Sequence, residues 1–374
     1  MNTYIVQPGD TIYSIARRHS LTTSELTSIN PGLTEQGLVV GTVLQLPPPP
    51  DGRPAIEING YAYPNSDQAF VLSTLQYMTY LSIICSRVTI DGYLVGVHNA
   101  QMIEMCWQNH VAPVMVVANT SETGLYSSAL IHAVMSNPAA QERLIHDIVT
   151  TVTQNNYYGA NIDFEFIPPG DYPVYINFLN ILQAALDAQG KSMFIVIRMA
   201  TLVGQQELLT ELLPPSGYEK LADRFIIRVN EWACNTNLEA SMLDLTQQAI
   251  DFAIGLVPPS KLIIGIPNCC FRWEVPYHHT TPPAQLTVAQ ADRIATEVGA
   301  SFQLDSKSGA SYFQYIDDLG NTNIVWCANR CTNQSILELV RIYGLGGVTF
   351  RTIEDFPITD YQAINATFNI QKVV

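Results

Sequence analysis

The sequence predicts an α/β protein: a closed (β/α)₈ (TIM) barrel with a small α+β insertion, preceded by a small βααβ unit. Three observations carry that reading. From Ala55 onward, apolar strand-like runs alternate with amphipathic helical stretches, the pattern of a parallel sheet assembled from βα units. Eight such runs are present, the number that closes a barrel. Pro47-Pro-Pro-Pro-Asp-Gly-Arg-Pro54 separates them from a first segment, because consecutive prolines cannot donate to a ladder and favour a stiff polyproline II spacer. The chain divides into a unit at 1–47, a proline-rich linker at 48–54 and a barrel at 55–374.

In the first unit Tyr4-Ile-Val6 reads as a strand, and Gly9-Asp10-Thr11 as a turn with a helix N-cap, followed by Ile12, Ile15 and Ala16 at helical spacing. A second helix is marked by Thr23-Ser24-Glu25-Leu26 and stopped by Asn30-Pro31-Gly32; Gly41-Thr-Val-Leu-Gln-Leu46 closes the unit as a strand. The barrel runs are Ile56–Gly60, Tyr80–Cys85, Ala112–Val117, Gly159–Phe166, Met193–Ile197, Arg224–Asn230, Lys261–Ile266 and Gly347–Phe350. Residues 285–325, with Phe302, Tyr312, Phe313, Tyr315 and Trp326 around them, read as the insertion before the last βα unit.

Composition narrows the function classes. Of 374 residues 47% are hydrophobic and 14% charged, which excludes a chain disordered throughout. Eighteen basic against 33 acidic residues give a net charge of −15, which argues against a binder of nucleic-acid backbone and favours neutral or cationic partners. No apolar run approaches a bilayer span, and Met1–Asp10 lacks the basic and apolar regions of a signal peptide, so synthesis in the cytoplasm is expected. Seven cysteines, with Cys269 and Cys270 adjacent and Cys327 four residues from Cys331, do not resemble a disulfide framework and are expected to be reduced thiols.

The segment richest in chemistry is Gly159-Ala-Asn-Ile-Asp-Phe-Glu-Phe166 on the fourth barrel strand. Alternation puts Asn161, Asp163 and Glu165 on one face and Ile162, Phe164 and Phe166 on the other. With the greasy face against the helices, the polar row lines the barrel interior, and Glu165 lies nearest the C-terminal mouth where barrel enzymes work. Carboxylates two residues apart on a strand are about 6 to 7 Å from each other, and their repulsion in a desolvated site raises one pKa. Glycoside cleavage needs such a protonated acid and a second group to stabilise positive charge.

The first unit closely resembles a LysM module, which implies binding of N-acetylglucosamine-containing glycans through Gly9, Asp10, Thr11, Asn30 and Pro31. The Asp163-x-Glu165 row resembles the signature of glycoside hydrolase family 18, and Gly-x-Asn-Ile-Asp-Phe-Glu-Phe-Ile-Pro-Pro is similar to its LysM-bearing branch, which includes bacterial spore-cortex-lytic N-acetylglucosaminidases. That resemblance extends to Ile58-Asn-Gly-Tyr61, Glu231-Trp232, Ile264-Gly-Ile-Pro267 and Tyr343-Gly-Leu-Gly-Gly347. It implies that Glu165 acts as general acid and then base, that Asp163 orients the substrate N-acetyl group as internal nucleophile, and that no metal or cofactor is required. The implied partner is peptidoglycan or a related N-acetylglucosamine polymer, and the cortex-lytic resemblance points to spore cortex.

Departures from the family pattern cluster at the mouth. The sixth strand usually carries Met-x-Tyr before Glu-Trp, and here reads Arg228-Val-Asn230; the eighth usually ends in a tryptophan that floors the sugar, and here reads Phe350-Arg351. Arg198 joins them from the fifth strand. Asn230 and Arg351 could each hydrogen-bond a sugar, so Asn230, Arg228, Arg351, Glu231, Trp232 and Tyr61 form the candidate substrate-binding set. An arginine beside Glu165 is expected to depress its pKa and weaken proton donation. Two functions stay open: a hydrolase retuned for an unusual or anionic aminosugar, and a glycan-binding protein with little turnover. Among weaker signals, His278-His279 lacks a third ligand at recognisable spacing. The aromatics Tyr63, Phe271, Trp273 and Tyr312 could stack sugars or pack a core.

Overall fold

The computed structural model of the chain describes residues 2–6, 10–12, 15–16, 23–34, 38–46, 52–201, 208–210, 218–229, 242–268, 270–275, 284–305, 310–328 and 330–374. In the N-terminal unit β1 (Asn2–Ile5) pairs antiparallel with β2 (Val43–Leu46), and the helix Thr23–Ile29 packs against them. Tyr4, Val6, Ile12, Ile15, Ala16, Leu26 and Leu44 form its own small core. The linker prolines 47–50 lie outside the described residues.

The barrel begins with β3 (Ala55–Ala62) and β4 (Tyr80–Val88), which carries the short antiparallel β5 (Leu94–Gly96) at its end. It continues through β6 (Ala112–Ala118), β7 (Gly159–Asp163), β8 (Ser192–Thr201, with β9, Leu208–Thr210, alongside), β10 (Arg224–Val229) and β11 (Leu262–Gly265). After an excursion through β12 (Cys270–Val275), β13 (Ala284–Leu286), β14 (Gln303–Leu304), β15 (Ser311–Ile316) and β16 (Thr322–Cys327), the chain returns as β17 (Gly347–Arg351) and ends beyond β18 (Asn369–Ile370). The parallel order β3-β4-β6-β7-β8-β10-β11-β17 closes on itself, because β17 pairs with β3 as well as β11. The eight sequence runs are these eight strands.

The helices form because their apolar positions recur every four residues and their ends are capped. In the helix Pro138–Gln154, Pro138 stands at the first turn where its missing N–H costs nothing, and the Asn137 side chain accepts from Ala139 and Ala140. Ala140, Leu144, Ile148 and Val152 make one buried stripe against the sheet. Each such Leu or Ile contributes about 1.5–3 kcal/mol.

Strand alternation sorts the barrel interior into layers. On β3 the inward residues are Glu57, Asn59 and Tyr61; on β10, Arg224, Ile226 and Arg228. Tyr80, Val114, Phe194, Val196, Ile226 and Ile263 fill part of the interior, with Val373 and Val374 packed against them. Above them runs a polar layer. The Asn59 amide donates to Thr349 Oγ1 (2.9 Å), Ser82 Oγ donates to Asn59 Oδ1 (2.8 Å), and the Asn161 amide donates to Tyr61 Oη (2.8 Å) and Ser82 Oγ (3.3 Å).

The insertion is larger than the sequence suggests. Its antiparallel sheet, β13-β12-β16-β15-β14, starts at Cys270 rather than near residue 285. Phe271 and Trp273, candidate sugar stackers, are buried on β12, and Tyr312 stacks on Trp326 at 4.7 Å. The expectation of reduced thiols fails at one pair. Cys270 and Cys327 are cross-strand partners on β12 and β16 and are joined by a disulfide, a proximity created by register across 57 residues and invisible in local spacing. Cys85 and Cys106 are free and buried. No helix among the described residues is long and apolar enough to cross a membrane.

Candidate active site

The mouth is assembled from the C-terminal ends of six barrel strands, β3, β6, β7, β8, β10 and β17. Asn161 and Asp163 project inward from β7 and are fully buried, and Glu165, two residues beyond Asp163, is 4% exposed. The strand ends at Asp163, so Glu165 is held in register by a side chain instead of a neighbouring strand. Its N–H donates to Asn119 Oδ1 (2.9 Å), and the Asn119 amide donates back to the Glu165 carbonyl (2.8 Å). Phe166 departs from the expected alternation. Its φ of 57° turns the chain, leaving the ring 43% exposed, with the Arg198 guanidinium 4.4 Å from its centroid.

Both acids face guanidinium groups. Arg228 Nη1 lies 3.0 Å from Asp163 Oδ1 and 2.8 Å from Glu165 Oε1, so the two carboxylates project to the same point. The second contact is an ion pair by distance but lacks hydrogen-bond alignment. Arg351 Nη1 donates to Asp163 Oδ2 (2.7 Å), and Arg198 Nε is 3.5 Å from Glu165 Oε2. Arg228 and Arg351, expected on the substrate, are thus engaged with the interior acids. The reason is alternation: each stands on the inward face of its strand, level with Asp163.

Tyr126 completes the cluster and was not singled out from sequence. Its hydroxyl donates to Asp163 Oδ2 (2.7 Å) and accepts from Arg351 Nη2 (3.2 Å). A turn after β6 brings it back, with Gly124 at φ 83° and an antiparallel bridge between Thr120 and Tyr126. A glycine-bearing turn returning an aromatic to the end of a barrel strand was the available signal.

Electrostatics separate the two acids. Burial pushes the Asp163 carboxyl up, but Arg228, Arg351 and the Tyr126 hydrogen bond outweigh it and hold it below its ordinary value. For Glu165 burial dominates: it outweighs the attraction of Arg228, and with repulsion from Asp163 the carboxyl ends above its ordinary value. The expected depression of Glu165 by arginine is therefore reversed by desolvation. Burial and the Asp163 charge raise Tyr61 to about 12.

The other sequence candidates fall as follows. Tyr61 is fully buried beneath Arg351, whose guanidinium carbon lies 5.0 Å from the ring centroid, so it supports the mouth from below. Phe350 is also buried, edge-on to Phe356, and offers no sugar platform. Asn230, Glu231, Trp232, Gly9, His278 and His279 lie outside the described residues. In the N-terminal unit Asn30 is spent on structure: its amide donates to Leu26 O (2.9 Å) and Gln45 O (2.8 Å), and its Oδ1 accepts from Gln45 N (2.7 Å). Tyr4 Oη donates to Asp10 Oδ2 (2.6 Å), and both line a cavity of about 190 Å³ that reaches Glu57, Arg224 and Lys261 on the barrel floor. Thr11 and Pro31 are exposed.

Comparison with known proteins agrees with this anatomy. Residues 4–47 match the LysM domain. The chain is 25% identical to the cortical fragment-lytic enzyme of Bacillus subtilis over 431 residues, covering 100% of this chain and 99% of the relative. The spore cortex-lytic enzyme SleL of Bacillus megaterium has the same fold, with a TM-score of 0.74 at 23% identity, covering 100% of this chain and 87% of that one. A class V chitinase from Nicotiana tobaccum gives a TM-score of 0.66 at 16% identity, covering 84% and 99%. The chain resembles LysM-containing proteins of glycoside hydrolase family 18: a LysM match stands ahead of a barrel whose fold is that of cortex-lytic enzymes and class V chitinases.

Proposed function

We propose that the protein hydrolyses N-acetylglucosamine-containing glycan of peptidoglycan by a substrate-assisted, retaining route, anchored to the polymer by its LysM segment. The observation that carries this reading is the opposite displacement of two neighbouring acids: Asp163 held ionised, Glu165 pushed toward its protonated form. Such a separation is how a carboxylate pair divides acid and anion roles. Glu165 would give its proton to the leaving glycosidic oxygen as the substrate's N-acetyl carbonyl oxygen bonds to the anomeric carbon. Asp163 would balance the positive charge of the resulting oxazolinium. Water, deprotonated by Glu165, would then open that ring with net retention. The relatives' names point to spore cortex as the polymer, and the same polymer is proposed here.

Glu165→Gln should lower release of reducing ends from peptidoglycan by about 10²–10⁴-fold while leaving co-sedimentation with it intact. A wild-type protein inert on both peptidoglycan and chitooligosaccharides would overturn the hydrolase reading. One observation favours the alternative of gripping without turnover: Arg228 spans both acids, and an acid so engaged must lose that contact before it can reach a sugar oxygen.

A further inference from the structure

Arg351 differs from the other charged groups of the mouth in two respects. Its side chain is 27% exposed, against 11% or less for Arg198, Arg228, Asp163 and Glu165. Its acid partner, Asp163, is shared with Arg228, which also contacts Glu165. Of its five N–H donors, one goes to Asp163 and one to the Tyr126 hydroxyl. These two bonds and the Tyr61 ring beneath fix the plane of the guanidinium. A planar fork with donors to spare, immobilised at an opening, is a carboxylate receptor already in position.

We propose that Arg351 receives a carboxylate carried by the sugar, so that the mouth selects an N-acetylated aminosugar bearing an acidic substituent over its neutral counterpart. This rests on the reading of the mouth as a sugar site and adds the ligand's charge to it. The preference must be local, because a chain of net charge −15 repels an acidic ligand at long range.

The test is calorimetric titration of the full chain with N-acetylmuramic acid, its methyl ester and N-acetylglucosamine, none of which has an interunit bond to cleave. Wild type should bind the acid about tenfold more tightly than the ester. Arg351→Gln should bind the two alike. Binding at the LysM segment is common to both proteins and cancels. If the Gln variant does not fold, Arg351→Lys carries the test: charge without the fork should reduce the preference to about threefold. Equal affinity of wild type for acid and ester, or a preference that survives the substitution, overturns the proposal. Acid preference without polymer cleavage would reject the hydrolase reading and leave the role of Arg351 standing.

Discussion

The two ends of the barrel both bury charge, and they do it in opposite ways. At the floor Glu57 and Arg224 meet one to one: Arg224 Nε donates to Glu57 Oε2 at 2.6 Å and Nη2 donates to Oε1, and neither residue is more than 8% exposed. At the mouth two acids meet three arginines, Asp163 shared by Arg228 and Arg351 and Glu165 by Arg228 and Arg198, with one contact off-line. A fork-to-fork pair satisfies both partners and leaves nothing over for a ligand. The mouth cluster is held together but not closed, which is what a site that must exchange partners during a reaction requires. A buried charge is informative about function through the geometry of its pairing, which acids and arginines do not show by residue type alone.

The largest effect that would sharpen the contrast is at the floor. Glu57→Ala should destabilise the barrel by about 3–5 kcal/mol in chemical denaturation, because it strands a buried guanidinium. Its affinity for glycan should be unchanged. A loss below about 1 kcal/mol would show the floor pair to be as loosely held as the mouth.

A smaller effect is expected at the mouth. Arg228→Met removes a positive neighbour that lowers Glu165, so the carboxyl should rise further. The sign follows from the role: the protonated acid persists to higher pH, and the alkaline limb of the activity profile moves upward. Asp163 moves the same way, since Arg228 lowers it too, and its contribution to stability, present above the ordinary carboxyl value and lost as pH falls through the depressed one, should then fade at higher pH than in wild type. A pH–rate profile identical to wild type would show that Arg228 does not govern the acid.

The smallest effect belongs to the N-terminal unit. Asn30→Ala removes two hydrogen bonds that tie the end of helix Thr23–Ile29 to Gln45 on β2 and one that returns to Leu26 in the helix, and should cost about 1–2 kcal/mol in that unit alone. Retention on peptidoglycan should weaken, whereas turnover of short soluble oligosaccharides should stay the same. Weakened retention with undiminished stability of the unit would return Asn30 to the glycan surface.

Most of the scaffold was legible because parallel barrel strands are buried on both faces and read as continuous apolar runs. The row Asn161, Asp163, Glu165 was legible because alternation has a fixed period. What escaped depended on register or on loops. The Cys270–Cys327 bridge needs β12 and β16 side by side, and Tyr126 reaches Asp163 only after a turn whose length does not reveal its direction. The sign of the Glu165 shift escaped for another reason. Its neighbours could be named from sequence, but the depth of its burial, which outweighs them, could not.

Because Asn119 grips both the N–H and the carbonyl of Glu165, that residue is hung from a side-chain amide while the β-ladder stops two residues earlier. The barrel staves and the working tip are therefore mechanically separable. Drift in the strands can be absorbed by one adjustable bracket, and a change in that bracket can re-aim the tip without rebuilding the staves.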